Sequence, residues 1–390
     1  MTEAVIVANA RTAIGTSFKG TLRATPATDL AEAVVAEVLT RSGVDPQLID
    51  DIVLGEVMQG GGNIARHTAV RLGLTGIAGL ADQRQCASSL SSVAIAAGSI
   101  RAGMDSAIIA GGAESISTAP VIRKQVDADT WDERWMPPSH PDSPEAPNRD
   151  MSITVGWNTA QQYGITREQM DAWSVRSHQR AIAGIDEGQF TAEIVPVKIT
   201  GPDGAVTVFD TDEHPRRDSS LEKLASLKVL HPEIEGFSIT AGNASGINDA
   251  AAAMLVTSDS FAEQNSLTPL ARVLGWASVG VDPARTGSGP IFSSRKALAR
   301  VGLSPADVDL WEINEAFAVV PIAAAQELGI DEDKINISGS GCSLGHPVAA
   351  SGSRMLITLI NDLRRTGGRV GVATMCAGGG MGGTVVVELV

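Results

Sequence analysis

Apolar and polar positions alternate along this chain with two periods, and each period predicts an element. Val5 to Ala8 form an apolar run that reads as a strand. Leu30, Val34, Val35 and Val38 recur at helical spacing and predict a helix over residues 27–40, with Thr28 and Asp29 as its cap residues. Ile52 to Val57 read as a second strand, and the loop Gly60-Gly61-Gly62 leads into a helix over residues 64–72. A further apolar helical run, Val93 to Ile100, follows the stretch Gln83-Arg84-Gln85-Cys86-Ala87-Ser88-Ser89-Leu90. Ala107 to Ala110 form a buried strand ending in Gly111-Gly112-Ala113-Glu114. Strands alternating with helices predict a mostly parallel sheet covered on both faces.

Near residue 120 the pattern breaks. Trp131, Trp135, His140 and the prolines 137, 138, 141, 144 and 147 predict an irregular lid. Helical periods return over residues 151–164 and 166–187. Residues 192–200 and 206–209 read as strands joined by the turn Gly201-Pro202-Asp203-Gly204. The basic segment His214-Pro215-Arg216-Arg217 then leads to Leu221-Glu222-Lys223-Leu224. Buried-strand texture resumes at residues 250–257, so the intervening stretch reads as an insertion.

The last third repeats the first. Arg41 to Asp50 align with Arg300 to Asp309, and each copy continues into a strand and then a glutamate, Glu56 or Glu315. Ala110-Gly111-Gly112 aligns with Ala377-Gly378-Gly379, which sets the Cys86 helix opposite a helix opened by Gly345-His346-Pro347. Such a repeat predicts an α/β fold of two similar βαβ-type, mixed-sheet domains related by a pseudo-twofold. The first spans residues 1–120 plus 247–270, the second residues 271–390, and the inserted loop domain residues 121–246. Helix starts in a doubly wound sheet lie near the strands' carboxyl ends, where ligands bind.

Composition narrows the function. With 390 residues and a net charge of −15, the chain is a poor match for nucleic acid or an anionic membrane, although a local basic patch can hold a phosphorylated ligand. Three cysteines make no disulfide framework and imply a reducing, cytoplasmic compartment. The N-terminal segment from Met1 looks like a first strand rather than a secretory signal, and no apolar run reaches membrane-spanning length.

Cys86 stands at a helix start, where unpaired N–H groups and the helix dipole favour a thiolate; the plain alternative is a buried structural cysteine. His346 and Cys376 lie in similar glycine- or serine-rich surroundings. Cysteine and histidine make a workable nucleophile and base, and Cys376 can serve as a second acid/base. The loop from Gly378 to Gly383 offers N–H groups to an oxyanion, and Asn314-Glu315 can point into the same space.

Rival motifs fail on context. Gly378, Gly380 and Gly383 fit G-x-G-x-x-G, but the chain ends in a strand where a dinucleotide site needs a helix. Gly341-Cys342-Ser343-Leu344-Gly345 fits the nucleophile elbow of a serine hydrolase using Ser343, yet the sole histidine downstream is His346, three residues on. No H-E-x-x-H or C-x-x-C occurs, so no metal is expected. Cys342 reads as a small packed residue, and His67, His178 and His231 as surface or cap residues.

At these residues the chain resembles the thiolases, the acetyl-CoA acetyltransferase and 3-ketoacyl-CoA thiolase family. The likeness rests on Cys86-Ala87-Ser88, Ala241 to Asp249, Asn314-Glu315-Ala316-Phe317, Leu344-Gly345-His346-Pro347 and Cys376 to Gly382, and it spans nearly the whole chain. Tyr163 to Glu168 and Asp212 to Arg216 fit as well. The resemblance implies a thiolase-like duplicated fold and acyl transfer between coenzyme A and Cys86. His346 would activate Cys86, and Cys376 would exchange a proton with the α-carbon. Asn314 would hold a water that completes one oxyanion hole with His346, and the N–H groups of Cys86 and Gly378 would form another. Ser245 would contact the pantetheine of coenzyme A, and Arg216, with Lys223, its nucleotide end. The implied partners are acyl-CoA and CoA as substrates, with no cofactor, in a homodimer or homotetramer.

The departures are Ser89 in place of glycine, Gly339-Ser340-Gly341-Cys342-Ser343 in place of the usual glycine-glycine-alanine run, and Thr286 where short-chain members often carry methionine. A ketoacyl synthase, the neighbouring class, would want a second histidine where this chain has Asn314.

Overall fold

The computed structural model describes residues 2–201 and 204–390; Met1 and the Pro202-Asp203 centre of the expected turn lie outside the described residues. Among the described residues one ten-stranded sheet organises the chain. Its main strands are β1 (Ala4–Arg11), β2 (Asp51–Gly55), β3 (Leu80–Asp82), β4 (Ala107–Ser115), β5 (Asn248–Ser258), β6 (Ala271–Gly280), β7 (Leu310–Ile313), β8 (Val370–Ala377) and β9 (Met381–Leu389). They lie side by side in the order β7-β8-β9-β6-β1-β5-β4-β2-β3.

Outward from the central β1–β6 pair, the two directions match. β1 is followed by β5, β4 and β2, and β6 by β9, β8 and β7, the outermost pair in each being parallel and the inner ones antiparallel. The likeness extends to a defect. The β1–β5 register slips between Ile6 and Ala8, and the β6–β9 register slips between Val273 and Gly275. A bulge kept at the same place in both halves increases the twist of each central strand.

The expectation of a mostly parallel sheet is therefore corrected. Only β2–β3, β2–β4 and β7–β8 are parallel. β4, β5, β8 and most of β9 are buried on both faces, so their sequences run continuously apolar and carry no sign of strand direction.

Side-chain alternation distributes the core. Val5 and Val7 face a cluster with Leu30, Val34 and Val38 of helix α1 (Ala27–Ser42). Ala4 and Ile6 face the opposite side, where helices α2 (Ser88–Arg101) and α4 (Ser351–Thr366) share a cluster through Val93, Ile100, Leu356 and Ile360. Helix α3 (Arg167–Asp186), within the insertion, begins with a complete capping box between Thr166 and Gln169. The cap expected at Thr28 and Asp29 is displaced. Pro26 precedes the first helical residue, no side chain caps it, and Asp29 sits inside the first turn, where its charge suits the dipole.

The insertion is tied to β1 by a buried cation. Arg11, 1% exposed, donates to Glu193 at 2.7 Å and bidentately to Asp212 at 2.9 Å through each terminal nitrogen. Removing one member of a buried pair leaves the other charges uncompensated. Arg11→Met is therefore expected to cost about 3–5 kcal/mol of stability, measured as a lower midpoint in urea unfolding.

Candidate active site

Cys86 rides on a tight turn two residues ahead of α2. Ala87 and Ser88 donate N–H groups back to the carbonyls of Arg84 and Gln85 at 3.1 Å each. The turn places Gln85 at φ 48°, a left-handed conformation unusual outside glycine. Arg84 braces it by donating to Ser91 at 2.6 Å and Ser278 at 2.8 Å. The N–H groups of Gly378 and of Cys86 itself lie near the Cys86 sulfur.

These donors do not make a resting thiolate. Burial pushes the Cys86 thiol up to about 11, the two N–H groups pull it down less, and the carboxyl of Glu114 adds to the rise. For this half-buried sulfur, desolvation opposes the helix dipole that favours a thiolate and is the larger effect. Cys376, at the end of β8, is 2% exposed. Burial pushes its thiol far above the ordinary range, with Cys86 close enough to contribute.

After Cys376 the chain makes a tight turn through Gly379 and Gly380, at φ 87° and 75°. A Cβ on Gly379 would lie 2.9 Å from the carbonyl oxygen of Ser139, so the proline-rich segment covers this turn. Thr286 accepts from the N–H of Gly380 at 3.0 Å and donates to Pro283 at 2.7 Å. Its hydroxyl is thereby spent on holding the turn that carries Gly378.

His346 is not at a helix start. A four-residue helix, Gly341–Leu344, comes before it, and α4 begins only at Ser351. Gly345 at φ 102° and the turn closed by Ala350 N–H on the Pro347 carbonyl at 2.9 Å explain the interruption. The halves still align, because α4 starts against α2. Ser353 donates its N–H to Ser89 Oγ at 2.9 Å, and a Cβ on Gly352 would lie 2.7 Å from the Leu90 nitrogen. The serine in place of glycine at 89 is an acceptor for this seam.

The imidazole is oriented from behind. Ser351 Oγ donates to the Pro347 carbonyl at 2.9 Å and lies 2.6 Å from His346 Nδ1. Its single proton being committed to the carbonyl, Ser351 accepts from Nδ1–H, which assigns the lone pair to Nε2. Burial, and then the Arg354 cation, lower His346 to about 4, so the ring is neutral at ordinary pH. Asn248 accepts from the His346 N–H at 3.0 Å.

Asn314 follows β7, its amide nitrogen 3.5 Å from each His346 ring nitrogen and its Oδ1 buried without a partner among the described residues. Glu315 beside it is a post rather than a reagent. It accepts from Trp173 and Asn336 at 2.8 Å, Ser177 at 2.6 Å and the Cys342 N–H at 3.0 Å. Glu56, its counterpart, accepts the N–H groups of Gly61, Gly62 and Ile64 at 2.7, 2.9 and 2.8 Å. Ser343 is bonded to Ser177 at 2.7 Å and to the Ser340 carbonyl at 3.2 Å, which leaves no serine nucleophile there.

Ser245 donates its N–H to the Ala316 carbonyl at 2.9 Å, which sets the Ala241–Gly246 loop beside the Asn314 loop. A cavity of about 540 Å³ opens there, with Ser245, Arg216, Lys223, His178, His214 and Cys342 in its wall. Two of the cations in this basic segment are occupied. Lys223 pairs with Asp218 at 2.6 Å and Arg217 with Asp186 at 2.5 Å, whereas the Arg216 guanidinium has no partner among the described residues. His178 is buried, contrary to the surface position expected, and accepts from the Arg216 N–H at 3.1 Å. Burial first, with Arg216 nearby, lowers both His178 and His214 to about 4. His67 is exposed, and His231 pairs with Asp150 and Glu233. Cys342 is packed as expected, but against this cavity.

Sequence reasoning missed Ser351, Asn248 and Glu114 as partners of the site. Asn248 lay inside a quoted motif; Ser351 lay five residues from His346, at a spacing masked by the assumed continuous helix. Among the described residues no group of three or more His, Cys, Asp or Glu is placed to hold a metal, and no helix is long and apolar enough to cross a membrane.

With Cys86 at about 11, alkylation of the free protein by iodoacetamide is expected to stay slow through pH 8 and to rise only above about pH 10. A rise centred near pH 7, followed by mass spectrometry of the Cys86 peptide, would contradict the neutral thiol.

Residues 4–260 match the family model for the thiolase N-terminal domain, and residues 267–389 that for the thiolase C-terminal domain. An acetyl-CoA acetyltransferase of Pseudomonas aeruginosa is 40% identical, with 98% of each chain covered. One from Escherichia coli is 40% identical over 100% of this chain and 99% of its own. The crystal structure of the Bacillus anthracis acetyl-CoA acetyltransferase superposes with a TM-score of 0.92 at 38% identity, covering 100% of this chain and 99% of that one. Human mitochondrial 3-ketoacyl-CoA thiolase gives 0.92 at 33% identity with the same coverage.

Proposed function

The chain belongs to the thiolase family, and from that premise we propose that Cys86 carries an acyl group as a thioester between two coenzyme A substrates, one of them acetyl-CoA. The observations that carry this reading are the proximity of Cys86 to Gly378 and Cys376, and the Asn314–His346 pair beside the Ser245 loop, which lines a cavity holding an unpaired arginine.

Both reacting groups start neutral. In cleavage of a 3-ketoacyl-CoA, Cys86 Sγ attacks the keto carbon as its proton passes to His346 Nε2. The oxyanion is met by preorganised donors: the N–H groups of Cys86 and Gly378 on one side, and on the other His346 with a water held by Asn314. Collapse breaks the carbon–carbon bond, leaves the acyl group on Cys86 and releases the acetyl-CoA enolate, whose α-carbon takes the Cys376 proton. A coenzyme A thiol then attacks the Cys86 thioester and departs as the shortened acyl-CoA, with the proton balance restored to the two cysteines. Exchange of one thioester for another changes free energy little, so the same residues run the condensation in reverse. Asn314, where a ketoacyl synthase would place histidine, favours this assignment. A homo-oligomer completes the proposal, tested by light scattering of the active protein.

Cys86→Ser is expected to abolish the acyl adduct formed from acetyl-CoA, read by peptide mass. Cys376→Ala is expected to keep that adduct while carbon–carbon cleavage and α-proton exchange in deuterated water fall by about 10³-fold, in line with loss of a positioned acid/base group. An adduct confined to Cys342, or unchanged proton exchange in Cys376→Ala, would sink these assignments.

The Arg216 guanidinium is the cation left for the phosphates. Arg216→Ala is expected to raise the KM for coenzyme A about tenfold at low salt with kcat within about twofold, because the contact is remote from the breaking bond. Steady-state kinetics at two ionic strengths checks it.

A further inference from the structure

We propose that Glu114 is a positioning residue: one carboxyl oxygen holds the Met58-Gln59 loop, the other holds the loop that carries His346, and the carboxyl thereby fixes the base of one half against the strand ends of the other. The proposal rests on the thiolase reading of Cys86 and His346 and adds to it a residue that stands behind both.

Glu114 lies near the end of β4 and is fully enclosed. One oxygen accepts from the Gln59 side-chain amide at 2.7 Å and the Met58 N–H at 3.3 Å. The other accepts from the Ala349 N–H at 3.2 Å. Ala349 is three residues beyond His346, in the irregular segment ahead of α4. That segment lies directly on the strand ends. A Cβ on Gly112 would come within 2.0 Å of the Ala349 carbonyl oxygen, and one on Gly55 within 2.9 Å. With so little clearance, a bond to Ala349 sets the height of the loop above the sheet. His346 is then held at three points: its N–H by Asn248, its Nδ1 by Ser351, and its loop by Glu114.

The carboxyl also acts through its charge. No cation pairs with Glu114 among the described residues, and its three donors are neutral. Asp249 on β5 is the charged group that faces it, and Cys86 is the titratable one. Burial, with Asp249 adding, raises Glu114 to about 7 against the pull of its hydrogen bonds. A charged Glu114 adds to the burial that disfavours the Cys86 thiolate.

The test compares the wild type with Glu114→Gln and Glu114→Asp in two assays. The amide keeps the shape but turns an NH2 toward one of its former donors and carries no charge. Glu114→Gln is expected to lower kcat about tenfold or more, as a displaced catalytic group does, with the KM for coenzyme A unchanged. Its iodoacetamide profile for Cys86 is expected to move to lower pH. Glu114→Asp keeps the charge but not the reach, so its kcat falls while its alkylation profile stays with the wild type. A merely structural glutamate would lower thermal stability and leave the alkylation profile in place, and that result would overturn the proposal. So would a wild-type kcat in Glu114→Gln. Alkylation needs no acyl-CoA and reports on the charge of Glu114 near Cys86 by itself. A wild-type protein that takes no acyl group from acetyl-CoA would therefore sink the thiolase reading separately.

Discussion

The close approach of α2 and α4 is the contact on which the rest of the molecule depends. Each helix brings one loop of reactive residues to the middle of the sheet, and neither loop makes a site alone. The approach is possible because the facing positions are small. Gly352 meets Leu90, Ala87 meets Gly383, and Gly55 and Gly112 leave room for the Ala349 carbonyl. Side chains at these points would separate the halves by ångströms, a distance that proton transfer does not tolerate. Ser89 then converts proximity into register, by accepting the Ser353 N–H at 2.9 Å.

Enclosure, more than any dipole or ion pair, sets the chemistry of the groups inside. Cys86 and Cys376 are pushed up and His346, His178 and His214 pushed down, each with burial as the largest cause. The resting site therefore holds a thiol and an imidazole rather than a thiolate and an imidazolium. In the proposed reaction such a neutral pair has no strong field to rearrange, and charge would develop where the N–H groups lie.

Much of this was legible in the sequence because it is written twice. The Arg41–Asp50 and Arg300–Asp309 copies, and the glutamate after each following strand, announced two matching halves. Glu56 and Glu315 both serve as posts: Glu56 gathers N–H groups of the loop that follows it, and Glu315 gathers Trp173 and Ser177 of α3 and the Cys342 N–H. What could not be read was direction and depth. Strands buried on both faces lose the alternation that separates parallel from antiparallel neighbours. The break before α4 was hidden because Pro347 suits a first helical turn and Val348, Ala349 and Ala350 continue the small, apolar texture of a helix. The neutral state of Cys86 was invisible for a different reason, since it depends on the Gly378 turn and on Glu114, far away in sequence and fixed only by folding. His178 was misplaced likewise, its surface of α3 being covered by the segment around Arg216.

The matched bulges in β1 and β6 lead to a last consequence. Two copies of a half-length chain, paired across these strands, would form the same cleft with a true twofold axis through it. Such a cleft is non-polar in the geometric sense: whatever stands on one side stands on the other. This chain carries cysteine at one helix approach and histidine at the other, a difference that exact symmetry forbids. Joining the halves covalently is what lets each position be filled independently. The site thereby gains a front and a back, and with them a direction in which an acyl group can be received and passed on.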